Sequence, residues 1–551
     1  MDSRFRAALD AFQRGELEVA LDIATANGTS APEWQHLLGL IECRKGNLRD
    51  GIAHLRAASD ARPEDESFRL MLGRALLDSG ADAEVLAMPE PANVTRAALA
   101  LWHVRAEAAY RLADHSATTK AWHSATAISP GDHRAWINLA RALLRLDSFA
   151  EAAEAYGRAL ALAPNDVAVT HELSLVHERM NEIGKMAEML ESALAAGLSK
   201  ESLAFAWALL EQRRGNPAEA QRLLALPGAD RDRVRWQRLV ARVEDMLGNS
   251  REAFAAAVEM NRGSPDFDLW RRRAEAYRHD LRALADVIST QWPSELPTVP
   301  TCGTSPAFIV GFPRSGTTLL DTFLMGHSDV VVLEELPLLG NAAELAGPLK
   351  HLPYASTADL EAARERYLTA LAEAVPWPTP KLIIDKFPLN MLAAPLIHCL
   401  FPASPIIFAQ RHPCDAVLSA VMQSFVSNLA NANFLDLADA ADFYDACMTV
   451  WTASAAKLPL KVHTVCYEEL VTDSEATLRP LVADLGLDWQ EAMLDHRSAA
   501  KRRGTVPNTS YRQVTEPLGT TPVLRWRRYE QELAPVLPVL LPWAERLGYS
   551  D

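Results

Sequence analysis

The run Phe308-Ile309-Val310-Gly311-Phe312-Pro313-Arg314-Ser315-Gly316-Thr317-Thr318-Leu319-Leu320 leads an apolar strand into a helix through a turn bracketed by two glycines. Backbone N–H groups at the start of such a helix converge on one place, where the helix dipole adds about half a positive charge. Pro313, Arg314, Ser315, Gly316, Thr317 and Thr318 therefore read as a cradle for an anion. The spacing is G-x4-G-T-T, that of a Walker A loop except that Thr317 stands where the lysine belongs. That lysine clamps the β- and γ-phosphates of a triphosphate, so its loss argues against nucleotide hydrolysis. Arg314, inside the loop, supplies a planar cation instead. The expected ligand is a shorter anhydride with fewer charges.

A second basic element follows the loop by roughly 90 residues. Pro405–Gln410 reads as a strand, and Arg411-His412-Pro413-Cys414-Asp415-Ala416-Val417-Leu418-Ser419 comes next, an R-x7-S arrangement. Arg411 at the strand end and Ser419 in the next helix can meet on one phosphate. Both elements need a frame that brings strand ends together. Past residue 306 short apolar runs alternate with helical segments, the signature of a parallel α/β sheet. Strands are predicted at Ala307–Val310, Val330–Leu333, Leu382–Ile384, Pro405–Ala409 and Val462–Cys466. Helices are predicted from Gly316, from Asp415, from Ser474 and near Tyr529–Leu547.

These residues resemble the sulfotransferase superfamily, in which P-R-S-G-T-T binds the 5′-phosphosulfate of 3′-phosphoadenylyl sulfate (PAPS) and R-x7-S holds its 3′-phosphate. The resemblance covers residues 305–548 and is nearest the branch of tyrosylprotein and bacterial repeat-bearing sulfotransferases. Gly326-His327-Ser328-Asp329-Val330 through Leu333-Glu334-Glu335 parallels that branch's H-P-D-V…E-E stretch. Ile384-Asp385-Lys386-Phe387-Pro388 parallels its N-K-D-P element, and Cys466-Tyr467-Glu468-Glu469-Leu470 its Y-Y-E-x-L strand end. The resemblance implies cofactor contacts at Tyr467, Ser510 and Arg525. It also implies a catalytic glutamate at Glu335, 21 residues past Arg314. Glu334 is the rival, since adjacent side chains on a strand point to opposite faces.

The implied reaction is a single in-line displacement from PAPS to a hydroxyl, without metal or covalent enzyme intermediate. Arg314 and the cradle face the nonbridging oxygens. Lys386, close after a buried strand, can bring its ammonium to the oxygen bridging sulfur and phosphorus. A glutamate near its ordinary pKa of about 4.3 is a weak base for an alcohol, unless burial raises it or the proton leaves late. His327 and His412 read as structural. Two departures from the family stand out. Arg502-Arg503-Gly504 lacks the second glycine of R-K-G-x-x-G. Leu336-Pro337-Leu338-Leu339 is apolar where the tyrosylprotein enzymes carry an arginine for acidic peptides. Tyrosine of a protein or peptide is one acceptor the resemblance allows.

The first half of the chain repeats. Leu38-Gly39 recurs as Leu72-Gly73, 34 residues on. The unit near Pro32 continues with Gly51, Leu55, Ala58 and Pro63; the unit with Trp136 reads Leu139-Ala140, Ala152, Tyr156, Ala159 and Pro164. Trp102, Ala106, Trp122, Ala125 and Pro130 fit between them, and weaker copies follow near Leu173–Ala193, Ala218–Leu224 and Ala253–Val258. Small residues at those offsets let two helices approach, and the proline ends the second. This pattern resembles the tetratricopeptide repeat, whose pairs stack into a solenoid with a partner-binding groove. The predicted fold is an all-α helical-repeat solenoid over 1–288, a Pro-rich linker over 289–306, and an α/β P-loop-like domain with a central parallel sheet over 307–551. The solenoid makes a peptide or protein acceptor held in its groove the expected partner, by analogy alone.

Composition bounds the rest. The 551 residues are 49% apolar and 23% charged, with mean hydropathy −0.06, ordinary for globular domains. The net charge of −16 repels phosphodiester backbones, which argues against nucleic acid as a partner. The longest apolar stretch, Val536–Trp543, is interrupted by prolines, and no membrane insertion is expected. Six scattered cysteines form no C-x-x-C pair or zinc spacing, which points to a reducing cytoplasm. Two other classes stay open: a P-loop kinase with a displaced lysine, with Asp385 as its metal-binding carboxylate, and a repeat-based adaptor with an inactive domain.

Overall fold

The computed structural model describes residues 3–26, 30–226, 232–300, 305–375, 380–425, 428–503 and 523–549. Packing divides the chain into two compact units, Met1–Leu210 and Glu211–Asp551.

The first unit is a series of helix pairs, among them Pro32–Lys45 with Leu48–Ala61 and His133–Arg145 with Phe149–Leu162. The small residues do what their spacing predicts. A Cβ on Gly39 would stand 2.6 Å from Leu55 Cγ, and one on Gly51 only 2.4 Å from Cys43 Sγ, so the two helices cross backbone against backbone. The helix starts are capped by aspartates in the same register. Asp132 accepts from the amides of Arg134 and Ala135, and Asp166 from that of Val169, about 1 kcal/mol each. The turn inside each pair carries a left-handed residue at the repeat spacing: Gly46, Gly80, Ala113, Asp147 and Asn181. Two residues before Gly46 and Ala113, arginines bind carbonyls of the preceding helix pair: Arg44 Nη1 to Phe12 O at 3.2 Å, Arg111 Nη1 to Leu77 O at 2.9 Å.

The second unit is built on a five-stranded, all-parallel sheet in the order β2-β3-β1-β4-β5. Its strands are β1 (Ala307–Val310), β2 (Val330–Glu334), β3 (Leu382–Lys386), β4 (Pro405–Gln410) and β5 (Lys461–Cys466). Each expected strand is present, within two residues at its ends. The apolar runs are continuous because both faces are covered. Phe308, Val310, Ile383, Ile406 and Phe408 enter one core, and Ala307, Ile309, Ile384, Ile407 and Ala409 the other. The chain leaves central β1 for β2 on one side and later returns to β4 on the other. That is the switch point at which open α/β sheets form a crevice beyond their strand ends. The helix expected over Tyr529–Leu547 is broken into Glu530–Leu533 and Leu537–Arg546, where Pro535 interrupts the hydrogen-bond ladder.

The second unit also takes in the helices Arg233–Leu247, Ser250–Arg262 and Phe267–Thr290, which the sequence pattern groups with the solenoid. Ala241, Ala253, Ala257, Leu281, Ala285 and Ile288 share one continuous core with the sheet. The proline-rich stretch expected as a linker is laid onto that core. Trp292, Leu296 and Val299 are buried, Val299 N–H donates to Cys399 O at 2.8 Å, and Arg364 Nη1 to Pro300 O at 2.6 Å. Among the described residues no helix is long and apolar enough to cross a membrane.

Candidate active site

The loop after β1 is drawn tight against its neighbours. Gly311 N–H donates to Pro388 O at 2.9 Å, which ties the loop to the end of β3. Gly316 caps the buried helix Thr317–Leu324 at φ 90°, and a Cβ there would lie 2.4 Å from Tyr467 Cδ2. Only glycine allows both the left-handed turn and the ring's approach. Ser315, Thr317 and Thr318 are buried, and Pro313 is half-buried. Arg314 holds φ 72°, a left-handed conformation that costs a side-chain-bearing residue about 1 kcal/mol.

The R-x7-S element closes on that arginine. Arg314 Nε donates to Ser419 Oγ at 3.1 Å, and Arg411 Nη1 donates to the Arg314 carbonyl at 2.8 Å. The Arg411 guanidinium lies 4.6 Å over the Tyr467 ring. Burial, with the like charges of Arg411 and Arg525, pushes the Arg314 guanidinium down to about 10, against the opposing pull of Tyr467 and Glu335. Arg411, hydrogen-bonded to the loop's own carbonyl, and Arg314 thus put two cations where the loop can take an anion.

Lys386 ends β3 on the face of Ile384, toward the Thr317–Leu324 helix, and is completely buried. Its Nζ lies 2.7 Å from Glu334 Oε1, 3.0 Å from Glu335 Oε1 and 3.4 Å from Asp321 Oδ2. Burial works against its charge, but Asp321, Glu335 and Glu334 together outweigh it and hold Lys386 above the ordinary lysine value. The expectation that Glu334 and Glu335 face opposite ways is not met. Glu335 lies past the end of β2 at φ 51°, and that turn swings its carboxylate back to the side of Glu334. Its own N–H donates to Lys386 O at 2.8 Å, which fixes the turn.

Asp385 enters the opposite core, where its Oδ2 accepts from Tyr367 O–H at 2.9 Å. Burial pushes it up to about 7, against the Tyr367 hydrogen bond. It is therefore turned away from the loop, and the kinase reading loses its carboxylate. His327 uses Nδ1 for the Asp329 amide and Nε2 for Asp488 O; His412 stacks on Trp526 and accepts from the Cys414 amide. Ser510 and Cys302 lie outside the described residues. Arg525 is held by Asp245, 3.0 Å from Nη2. Sequence reasoning missed Asp245 and Asp321. The signal for Asp321 was an acid inside the largely apolar run Leu319–Leu324.

Residues 306–491 match the sulfotransferase family, and residues 133–166 match the tetratricopeptide repeat. An uncharacterized protein of Aquifex aeolicus is 28% identical over 248 residues, 43% of this chain and 32% of that one, so the chain spans about a third of that relative's length. Protein-tyrosine sulfotransferase 1 of Danio rerio is 26% identical over 267 residues, 44% of this chain and 72% of that one. Among solved structures, the sulfotransferase domain from the Synechococcus PCC 7002 olefin synthase is 22% identical with a TM-score of 0.28, covering 43% of this chain and 91% of that one. The chain thus carries a match to the tetratricopeptide repeat in its N-terminal half and a match to the sulfotransferase family over residues 306–491.

Proposed function

We propose that the chain is a PAPS-dependent sulfotransferase that moves a sulfuryl group to a hydroxyl acceptor. The observation that carries this reading is the closure of Arg411 and Ser419 onto Arg314 at the mouth of a loop without a Walker lysine. The residues fit the donor. Cations crowd at Arg314, Arg411 and Arg525, and Tyr467 packs on Gly316 where the cradle begins.

PAPS, when bound, supplies an activated sulfuryl group on an adenosine bisphosphate leaving group. In the proposed step the acceptor oxygen forms a bond to sulfur as the bond from sulfur to the phosphate oxygen breaks, and the bisphosphate departs with that electron pair. Arg314 and the amides of the loop neutralise the nonbridging oxygens. The Lys386 ammonium stabilises the departing oxygen. The acceptor's proton passes to a Glu335 oxygen, late in the step, as the bond to sulfur forms. No metal takes part in this scheme.

The acceptor is read as a protein or peptide hydroxyl, with tyrosine favoured by the names of the relatives, and the repeat helices as its recruiting surface. The described cysteines are all free thiols, which suits the proposed cytoplasmic location. By sequence character the division stays 1–288 repeat-like, 289–306 proline-rich and 307–551 sulfotransferase-like. Isothermal titration with 3′,5′-adenosine bisphosphate, with ADP and ATP–magnesium as controls, tests the reading. Micromolar binding of the bisphosphate alone is expected. Preference for ATP–magnesium would replace the reading with a kinase, and no binding to any of the three would leave an adaptor.

A further inference from the structure

The helix Arg233–Leu247 ends with an acid in the wrong place. Asp245 sits in its last turn, where the negative end of the helix dipole disfavours a carboxylate. The cost is offset by three side chains from one short segment of the same unit. Asp245 accepts from Arg525 Nε at 3.2 Å, Arg528 Nη2 at 3.2 Å and the Tyr529 hydroxyl at 2.6 Å, and its second oxygen lies 3.0 Å from Arg525 Nη2.

The grip on Arg525 is edge-on. Nε and Nη2 are both taken by the carboxylate, Nη2 also lies 3.1 Å from Met422 Sδ, and the guanidinium stands 5.4 Å over the Tyr529 ring. Among the described residues Nη1 has no hydrogen-bond partner. Leu524, just before, is held at φ 53°, so backbone conformation as well as side-chain pairing fixes where the guanidinium stands. Met422 closes the helix Pro413–Val421 that carries Ser419, and Trp526 N–H donates to Asp415 Oδ1 of the same helix at 2.8 Å, so the held guanidinium stands against the R-x7-S element.

We propose that Asp245 is a positioning residue for the donor pocket: it clamps the Arg525 guanidinium by one edge and leaves Nη1 for a phosphate oxygen of the donor. The proposal rests on the PAPS reading above. Its consequence is that a helix from the repeat-like region completes a pocket otherwise built from the sheet's loops. A bidentate carboxylate lowers the conformational entropy that Arg525 loses when an anion binds, so it raises affinity without touching the ligand.

A double-mutant cycle tests this, with 3′,5′-adenosine bisphosphate affinity by titration calorimetry and thermal melting as readouts. Asp245→Ala is expected to weaken bisphosphate binding about tenfold, and Arg525→Ala at least as much. The double variant should bind no worse than Arg525→Ala alone, because Asp245 acts only through that side chain. Full affinity in Asp245→Ala, or losses that multiply in the double variant, overturns the proposal. If Asp245→Ala does not melt cooperatively, Asp245→Asn, which keeps an acceptor for Tyr529, takes its place in the same cycle. Absence of bisphosphate binding by the unmodified chain overturns the PAPS reading and this proposal with it; binding that ignores Asp245 overturns the proposal alone.

Discussion

Glu335 Oε1 stands 3.0 Å from Lys386 Nζ because Glu335 holds a left-handed φ of 51°. An extended residue at that position would carry its side chain to the other face of the sheet. The turn costs about 1 kcal/mol for a residue with a Cβ, and the ion pair with a buried lysine helps offset it. The two glutamates on Lys386 differ in access. The Glu334 side chain is 11% exposed and that of Glu335 is 45% exposed, so Glu335 is the one an acceptor can reach. Glu334 is placed to hold the lysine.

That difference sets the first expectation. Glu335→Gln should lower kcat about 10²–10⁴-fold and leave the dissociation constant for 3′,5′-adenosine bisphosphate within about threefold. Glu334→Gln should lower kcat less and disturb thermal stability more. If Glu334→Gln proves the more damaging to turnover, the two roles are exchanged.

Lys386 answers to three carboxylates, so its removal should be felt in stability as well as rate. Lys386→Met takes an ammonium from buried Asp321 and from Glu334, a loss of about 3 kcal/mol at neutral pH. The pH dependence has a definite sign. Losing that ammonium raises the folded pKa of the carboxylates it faces, so the penalty shrinks in acid and grows as pH rises. Melting Lys386→Met and the unmodified chain side by side should give a smaller gap at pH 5 than at pH 8. An equal gap at both would mean the carboxylates are not what Lys386 stabilises.

Much of this arrangement can be read from residue types. Parallel strands buried on both faces leave continuous apolar runs, and those runs located all five. The loop and the R-x7-S element were legible because glycine, arginine and paired threonines have few other reasons to adjoin a strand. The Glu334–Glu335 geometry was not legible, because it depends on one backbone dihedral that the residue type does not dictate. Asp245 was hidden for another reason: its partner Arg525 lies 280 residues away, and no local period records such a contact. The helices around Asp245 kept a repeat-like pattern while their apolar faces were buried against the sheet instead.

Arg314 offers a separation of stability from binding. Arg314→Gly removes the guanidinium and relieves the φ of 72°, whereas Arg314→Ala removes the guanidinium and keeps the strain. Both should lose most of the bisphosphate affinity. Arg314→Gly should melt higher than Arg314→Ala, by about 1 kcal/mol in free energy. Equal melting points would show that the backbone at this position is not strained.

Asp385 gives the chain a stability that declines with pH. Its carboxyl is pushed up to about 7 by burial, from an ordinary 3.8, so the folded state binds a proton that the unfolded state has released between those values. Stability from this group is full below about pH 4 and is lost as pH rises through 7. Asp385→Asn mimics the protonated acid and keeps an acceptor for Tyr367. The variant should be more stable than the unmodified chain at pH 8, by on the order of a few kcal/mol, with the gap shrinking as pH falls and nearly closed below about pH 4. A variant less stable at pH 8 would mean that the ionised form is held by contacts other than Tyr367.

The last expectation concerns where the catalytic unit begins. A fragment starting at 307 would hold every strand and every proposed catalytic side chain. It would also strip the core of Ala253, Ala257, Leu281, Ala285, Ile288, Trp292, Leu296 and Val299, and expose the apolar surface they cover. Polar contacts would go as well. Asn261 Nδ2 donates to Val421 O at 3.0 Å, closing the end of the helix that carries Ser419, and buried Arg278 joins Asn433 at 2.7 Å and Asp439 at 2.9 Å. Asp439 would lose both its cations, since Arg271, 2.6 Å from its Oδ2, goes with Arg278, and side chains of Trp292's size bury on the order of 200 Å² each. A fragment from 211 keeps all of these. The 211–551 fragment should therefore melt cooperatively and bind the bisphosphate, whereas 307–551 should aggregate or bind a hydrophobic dye without a cooperative transition. Cooperative melting of 307–551 within a few degrees of the longer fragment would show that the helical arm is an attachment and not part of the catalytic core.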